Sequence, residues 1–122
     1  MDRVVSFRGK IIYVAGPYRS STEEGRRANI AAASAAAKEL WERGFAVICP
    51  HTNTGGLEQP EDVILKGHRE LVRRSDAVFL CCGLDALLAS SGTLAELVVA
   101  KDSNIPIFCD TASLHSHFVC GE

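Results

Sequence analysis

Lys10-Ile11-Ile12-Tyr13-Val14-Ala15-Gly16-Pro17 is a short apolar run of β-formers that ends on a Gly-Pro pair. A run too short for a helix and closed by chain-breaking residues predicts a buried strand. The pattern returns at Phe45–Cys49 (FAVIC, ended by Pro50), at Asp76–Cys81 (DAVFLC) and at Ile105–Cys109 (IPIFC). Helical segments fall between these runs. In Arg26–Arg43, seven alanines between Ala28 and Ala37 lead to Leu40 and Trp41 on one expected apolar face. Gly44 is its expected C-terminal stop. Glu61–Arg74 is acidic at its start and basic at its end, as the helix dipole favours. Thr93–Asp102 is the third helix, and the weakly patterned last dozen residues form at most one short helix.

Continuous apolar strands alternating with helices predict a parallel sheet covered on both faces. With right-handed crossovers the fold class is α/β: a three-layer, doubly wound, flavodoxin- or Rossmann-like sandwich with a four- to five-stranded parallel sheet. Ligands of such sheets sit outside the carboxyl ends of the strands. The loops Gly16–Gly25, His51–Pro60 and Gly83–Ser91 are therefore expected to line a site. Asp76, at the amino end of its strand, belongs to the opposite rim.

Composition sets outer bounds. The 122 residues predict one domain, 1–122, with its core at about 10–109. Thirteen Lys and Arg against 15 Asp and Glu leave a formal charge of −2, without the basic footprint of a nucleic-acid polymer binder. Met1–Lys10 has no apolar core of the kind a secretory signal needs. The longest apolar runs, such as Ala77–Cys82, are far short of a membrane span. Five cysteines, an odd number with no C-x-x-C pair, point to a reduced, cytoplasmic setting. His115-x-His117-x-x-Cys120 has no fourth ligand in sight, so neither a metal nor a cofactor is expected.

Chemistry-bearing residues cluster in the expected loops. No Walker P-loop, G-x-G-x-x-G after the first strand, or G-x-S-x-G elbow occurs. In Gly16-Pro17-Tyr18-Arg19-Ser20-Ser21, Gly16 permits close backbone approach and Arg19 with two hydroxyls can hold an anion. The alternative is an ordinary turn with a surface arginine. In Ser90-Ser91-Gly92-Thr93-Leu94-Ala95-Glu96, backbone N–H groups at a helix start and serine hydroxyls can bind a phosphate. Glu96 has two readings. Thr93-x-x-Glu96 fits a capping box; alternatively, a carboxylate facing the cleft near a helix N-terminus stays ionised and suits a nucleophile.

Ile12-Tyr13-Val14-Ala15-Gly16-Pro17-Tyr18-Arg19, Asn29, Cys49-Pro50-His51-x-Asn53 and Ser90-x-Gly92-x-x-x-Glu96, in that order, resemble the nucleoside 2-deoxyribosyltransferase-like superfamily. The similarity spans about residues 10 to 109. It is closest to small bacterial and phage members, which are related to 2′-deoxynucleoside 5′-monophosphate N-hydrolases. The resemblance implies an enzyme acting on the N-glycosidic bond of a nucleoside or nucleotide, in a homodimer. Glu96 would attack the anomeric carbon to give a glycosyl-enzyme, as in retaining glycosidases, and Tyr13 would position it. Ser90 stands where transferases tend to carry Asp and the monophosphate hydrolases Ser. With Gly92 and Arg19 it implies a 5′-phosphate. His51 and Asn53 contact the base or ribose in this resemblance or else form a capped turn, and Asn29 joins the loop residues Gly16, Pro17 and Tyr18 as an implied substrate contact. Asp85 is either a second carboxylate or a solvated loop residue.

Two departures stand out. His68 occupies a position where the family often has Asp; it can take over general-acid work or mark altered activity. Gly83-Leu84-Asp85-Ala86-Leu87-Leu88 replaces the usual Gly-Trp after the third strand, leaving base stacking to Tyr18. Both motivate an alternative, a non-catalytic nucleotide-binding module of the same fold.

Overall fold

The structure, a computed structural model, describes residues 6–18, 20–53, 61–82, 84–88 and 90–120, with 52, 53, 61, 84, 85 and 120 described by backbone alone. Strands β1 (Ile11–Ala15), β2 (Ala46–Ile48), β3 (Ala77–Leu80) and β4 (Ile107–Phe108) form one sheet in the order β2-β1-β3-β4. All pairings are parallel: Tyr13 lies opposite both Ile48 and Val78, and Phe79 opposite Phe108. Helices α1 (Glu23–Glu42), α3 (Glu61–Arg73) and α5 (Ser91–Asp102) connect successive strands, and α6 (Thr111–Cys120) follows β4. Two short helices, α2 (Pro50–Asn53) and α4 (Leu84–Leu88), follow β2 and β3.

The expected three layers follow from strand alternation. Ile12 and Val14 pack with Ala33, Ala37 and Leu40 of α1 and Leu114 of α6. Tyr13 and Ala15 point the other way, onto Val72 of α3 and Ala100 of α5. Ala33, Ala37 and Leu40 recur at the spacing of one helix face, and the small alanines bring α1 close to the sheet. Trp41 is not on that face. It lies about 100° further round the helix and is 56% exposed.

Local chemistry moves several element boundaries. Helix α1 begins at Glu23 because Thr22 caps it, its Oγ1 accepting from Gly25 N–H at 2.9 Å. Glu23 and Glu24 fill the first turn, and Glu23 pairs with Arg26 and Arg27. The first loop is therefore three residues shorter than expected. Gly44, at φ +95°, stops α1 as expected, with its N–H donating to Trp41 O at 3.0 Å. Asn104, at φ +59°, does the same for α5. Strands β2 and β4 are shorter than their apolar runs, and α2 and α4 stand where loops were expected. Asp76 does sit at the amino rim, its Oδ2 accepting from Ile11 N–H at 2.7 Å. No described helix is long and apolar enough to cross a membrane.

Candidate functional site

The chain leaves β1 for β2 on one side of the sheet, then crosses to β3 on the other. This makes the carboxyl ends of β1 and β3 a topological switch point, where ligands of such sheets bind. Tyr13, in the middle of β1, is fully buried on the α3–α5 face. Its hydroxyl donates to Glu96 Oε2 on α5, 83 positions along the chain. From α3, His68 Nδ1 comes within 3.8 Å of the same oxygen. The Glu96 and His68 side chains are only 13% and 14% exposed, so neither keeps much of its hydration.

Burial dominates the electrostatics here. It pushes the Glu96 carboxyl up to about 7, against the opposing pull of the Tyr13 hydroxyl and the Arg69 guanidinium. Burial, then the Glu96 charge, holds the Tyr13 phenol well above its usual range, so it remains a donor. Burial, then the neighbouring His51, lowers His68. These findings correct the expectation that a helix N-terminus keeps Glu96 ionised. Glu96 lies in the second turn of α5, beyond the reach of the terminal N–H groups.

The capping-box reading is corrected as well. The N-cap of α5 is Ser90, whose Oγ accepts from Thr93 N–H at 3.3 Å and lies 2.7 Å from Thr93 Oγ1. Glu96 reaches across to β1 and takes no part in the cap. Gly92 is exposed in the first turn, with open space where a Cβ would stand.

The residues expected in the first two loops hold one another. His51 is buried at 4% exposure, and its Nε2–H donates to the Pro17 carbonyl at 2.9 Å. Burial lowers its pKa, leaving a neutral ring whose Nδ1 has no hydrogen-bond partner among the described residues. The Tyr18 ring lies 6.0 Å from the His51 ring, tilted by 58°. Asn29 Nδ2 donates to the Tyr18 carbonyl at 3.3 Å. Gly16 is tightly packed: a Cβ there would meet Cys81 Sγ at 2.5 Å, so the thiol would have to shift. Burial pushes the Cys81 thiol up to about 11, so it stays neutral.

Arg19, residues 54–60 and Gly83 lie outside the described residues, as do the side chains of Asn53, Asp85 and Cys120. Among the described residues, no group of His, Cys, Asp and Glu is arranged to hold a metal. Sequence reasoning missed Arg69, half-buried one residue after His68. An arginine on an amphipathic helix reads as solvated, and adjacency to His68 is its only signal. Among the described residues, open surface hollows lie away from Tyr13 and Glu96. One, of about 550 Å³, is formed by Ser34, Lys38, Trp41 and Cys49 with their neighbours. Another, of about 740 Å³, includes Leu94, Val98, Ile105 and Ile107.

No family model matches the chain, and no curated protein matches it in sequence. Among solved structures, the chain is similar to the 2-deoxyribosyltransferase of the psychrotolerant bacterium Bacillus psychrosaccharolyticus, with a TM-score of 0.58 and 21% identity. That match covers 80% of this chain and 69% of the other. At this identity the likeness establishes the shared fold.

Proposed function

We propose that this chain cleaves the N-glycosidic bond of a (deoxy)nucleoside or nucleoside 5′-monophosphate, passing the sugar to water or to a second base. The observation that carries this reading is the convergence of Tyr13, His68 and Glu96 from three elements onto one buried carboxylate oxygen. The likeness in fold to a 2-deoxyribosyltransferase supports it. In this reading Tyr13 fixes Oε2. Oε1, which makes no hydrogen bond among the described residues, attacks the anomeric carbon. The carbon–nitrogen bond breaks with its electron pair going to the base, and His68 supplies the proton the base needs. Water or a second base then takes the sugar from the glycosyl-enzyme and releases the carboxylate. Ser90, Gly92 and Arg19 are taken as the phosphate end of the pocket. Tyr18, His51, Asn53 and Asp85 are taken as contacts to base or sugar, and the working form as a homodimer.

Incubation with a panel of deoxynucleosides, ribonucleosides and their monophosphates, followed by chromatography for free base, tests the proposal. Release from at least one substrate, lost in Glu96→Ala, is expected. No release from any, or undiminished release by the variant, refutes it. His68, at a position where the resemblance implies Asp, favours a second reading as a non-catalytic nucleotide-binding module. A carboxyl titrating at about 7 is substantially protonated at neutral pH and then acts as a hydrogen-bond donor. That module would bind nucleotide without turnover and keep its affinity in Glu96→Gln, both measurable by calorimetry.

A further inference from the structure

The carboxyl of Glu96 and the imidazole of His68 are too close and too poorly hydrated to titrate as independent groups. Nδ1 and Oε2 are 3.8 Å apart, and each side chain is more than four-fifths removed from water. Groups interacting this closely gain and lose protons as a pair. We propose that Glu96 and His68 form one proton-sharing unit that holds a single proton at neutral pH, and that positive charge developing on the sugar during cleavage moves this proton from the carboxyl to the imidazole. The second half of the proposal rests on the proposed function; the first half does not.

Geometry gives the proton its two positions. Tyr13 donates to Oε2, so the carboxyl proton belongs on Oε1. The competing arrangement places the proton on His68 and leaves an ion pair across the 3.8 Å gap. Burial disfavours the ion pair, because both charges would lack water. Burial of each group raises Glu96 from 4.5 to about 7 and lowers His68 from 6.5, which reverses their ordinary order and favours the proton on the carboxyl.

The surrounding groups set the balance. Tyr13 on β1 and Arg69 on α3 favour the carboxylate. His51 on α2 lowers His68 further, so the two rings do not both carry charge. Cys81, at the end of β3, is a neutral thiol. A sugar developing positive charge at its anomeric carbon favours carboxylate over carboxyl, and so drives the proton to His68. The proton then leaves with the base as the carbon–oxygen bond to Glu96 forms. Water restores the site by giving its oxygen and one proton to the sugar and its other proton to the pair.

Carbon-13 NMR of the empty protein, labelled at histidine rings and glutamate carboxyls and assigned with His68→Gln, tests the pairing without any substrate. In the wild type, the His68 ring and the Glu96 carboxyl are expected to share a titration step near pH 7. In Glu96→Gln the His68 ring loses that step. Superimposable His68 curves in the two proteins overturn the proposal. Should Glu96→Gln fail to fold, Tyr13→Phe replaces it: losing the donor raises Glu96, and the shared step must move upward in both signals. A ring that ignores the change again overturns the pairing. Because no turnover is needed, failure of base release and failure of the pairing are separate results.

Discussion

Replacing Glu96 with Gln removes a buried titration and leaves the shape of the side chain almost unchanged. In the folded chain Glu96 titrates at about 7, against an ordinary value of 4.5. Between those values the folded chain keeps a proton that the unfolded chain has lost. Stability therefore falls as pH rises through this window, and the loss is complete above about pH 7. At about 1.36 kcal/mol per pH unit, the full loss is about 3 kcal/mol. Gln carries no such cost, since its carbonyl still accepts from Tyr13 and its amide stays neutral. Urea or thermal unfolding followed by circular dichroism, from pH 4 to 8.5, reads the effect. The stability of Glu96→Gln minus that of the wild type is expected to grow by about 3 kcal/mol across the series. For a domain of this size that corresponds to roughly 10 °C in Tm above pH 7.5. Other groups cancel in the difference, and any loss of support for protonated His68 acts in the same direction. A difference that stays flat, or that grows toward low pH, refutes the reasoning about burial.

Tyr13→Phe removes a donor from a charged acceptor, worth about 1.5–3 kcal/mol. Glu96 should then titrate about 1–2 pH units higher, moving the alkaline fall of base release upward; an unchanged pH–rate profile contradicts the assignment. Ser90→Ala removes the cap of α5 and should cost about 1 kcal/mol in urea unfolding. No loss would mean that another residue caps the helix. Gly16→Ala drives a methyl into Cys81 Sγ, 2.5 Å away, and should cost about 1–3 kcal/mol. Adding Cys81→Ala should recover part of that cost, whereas strictly additive effects would contradict the contact.

The sheet was legible because its strands are apolar on both faces and are closed by Pro, Gly or a charged turn. Even Asp76 was assigned to the correct rim, since the polarity of a parallel sheet follows from chain order alone. Boundaries were harder where two caps competed. Ser90 and Thr93 are both good N-caps, and only packing against β1 shows that the helix starts at the earlier one and turns Glu96 toward Tyr13. The helices at Pro50–Asn53 and Leu84–Leu88 are too short to carry a period. Candidate residues could be picked from the sequence, but their state could not. The ionisation of Glu96 depends on Tyr13, His68 and Arg69, which arrive from distant segments, and local sequence spoke only for the helix dipole. His51 and Asn29, read as ligand contacts, make their described hydrogen bonds to the Pro17 and Tyr18 carbonyls of the first loop.

The central claim is that Glu96 attacks the sugar, and a trapped intermediate tests it most directly. The protein is mixed with the panel substrate that releases base fastest, quenched in acid within the first turnovers, digested and examined by mass spectrometry. The account predicts a peptide containing Glu96 that is heavier by one glycosyl group, absent when Glu96→Gln is treated in the same way. Rapid base release with every Glu96 peptide unmodified, or the same adduct on another residue, would contradict it.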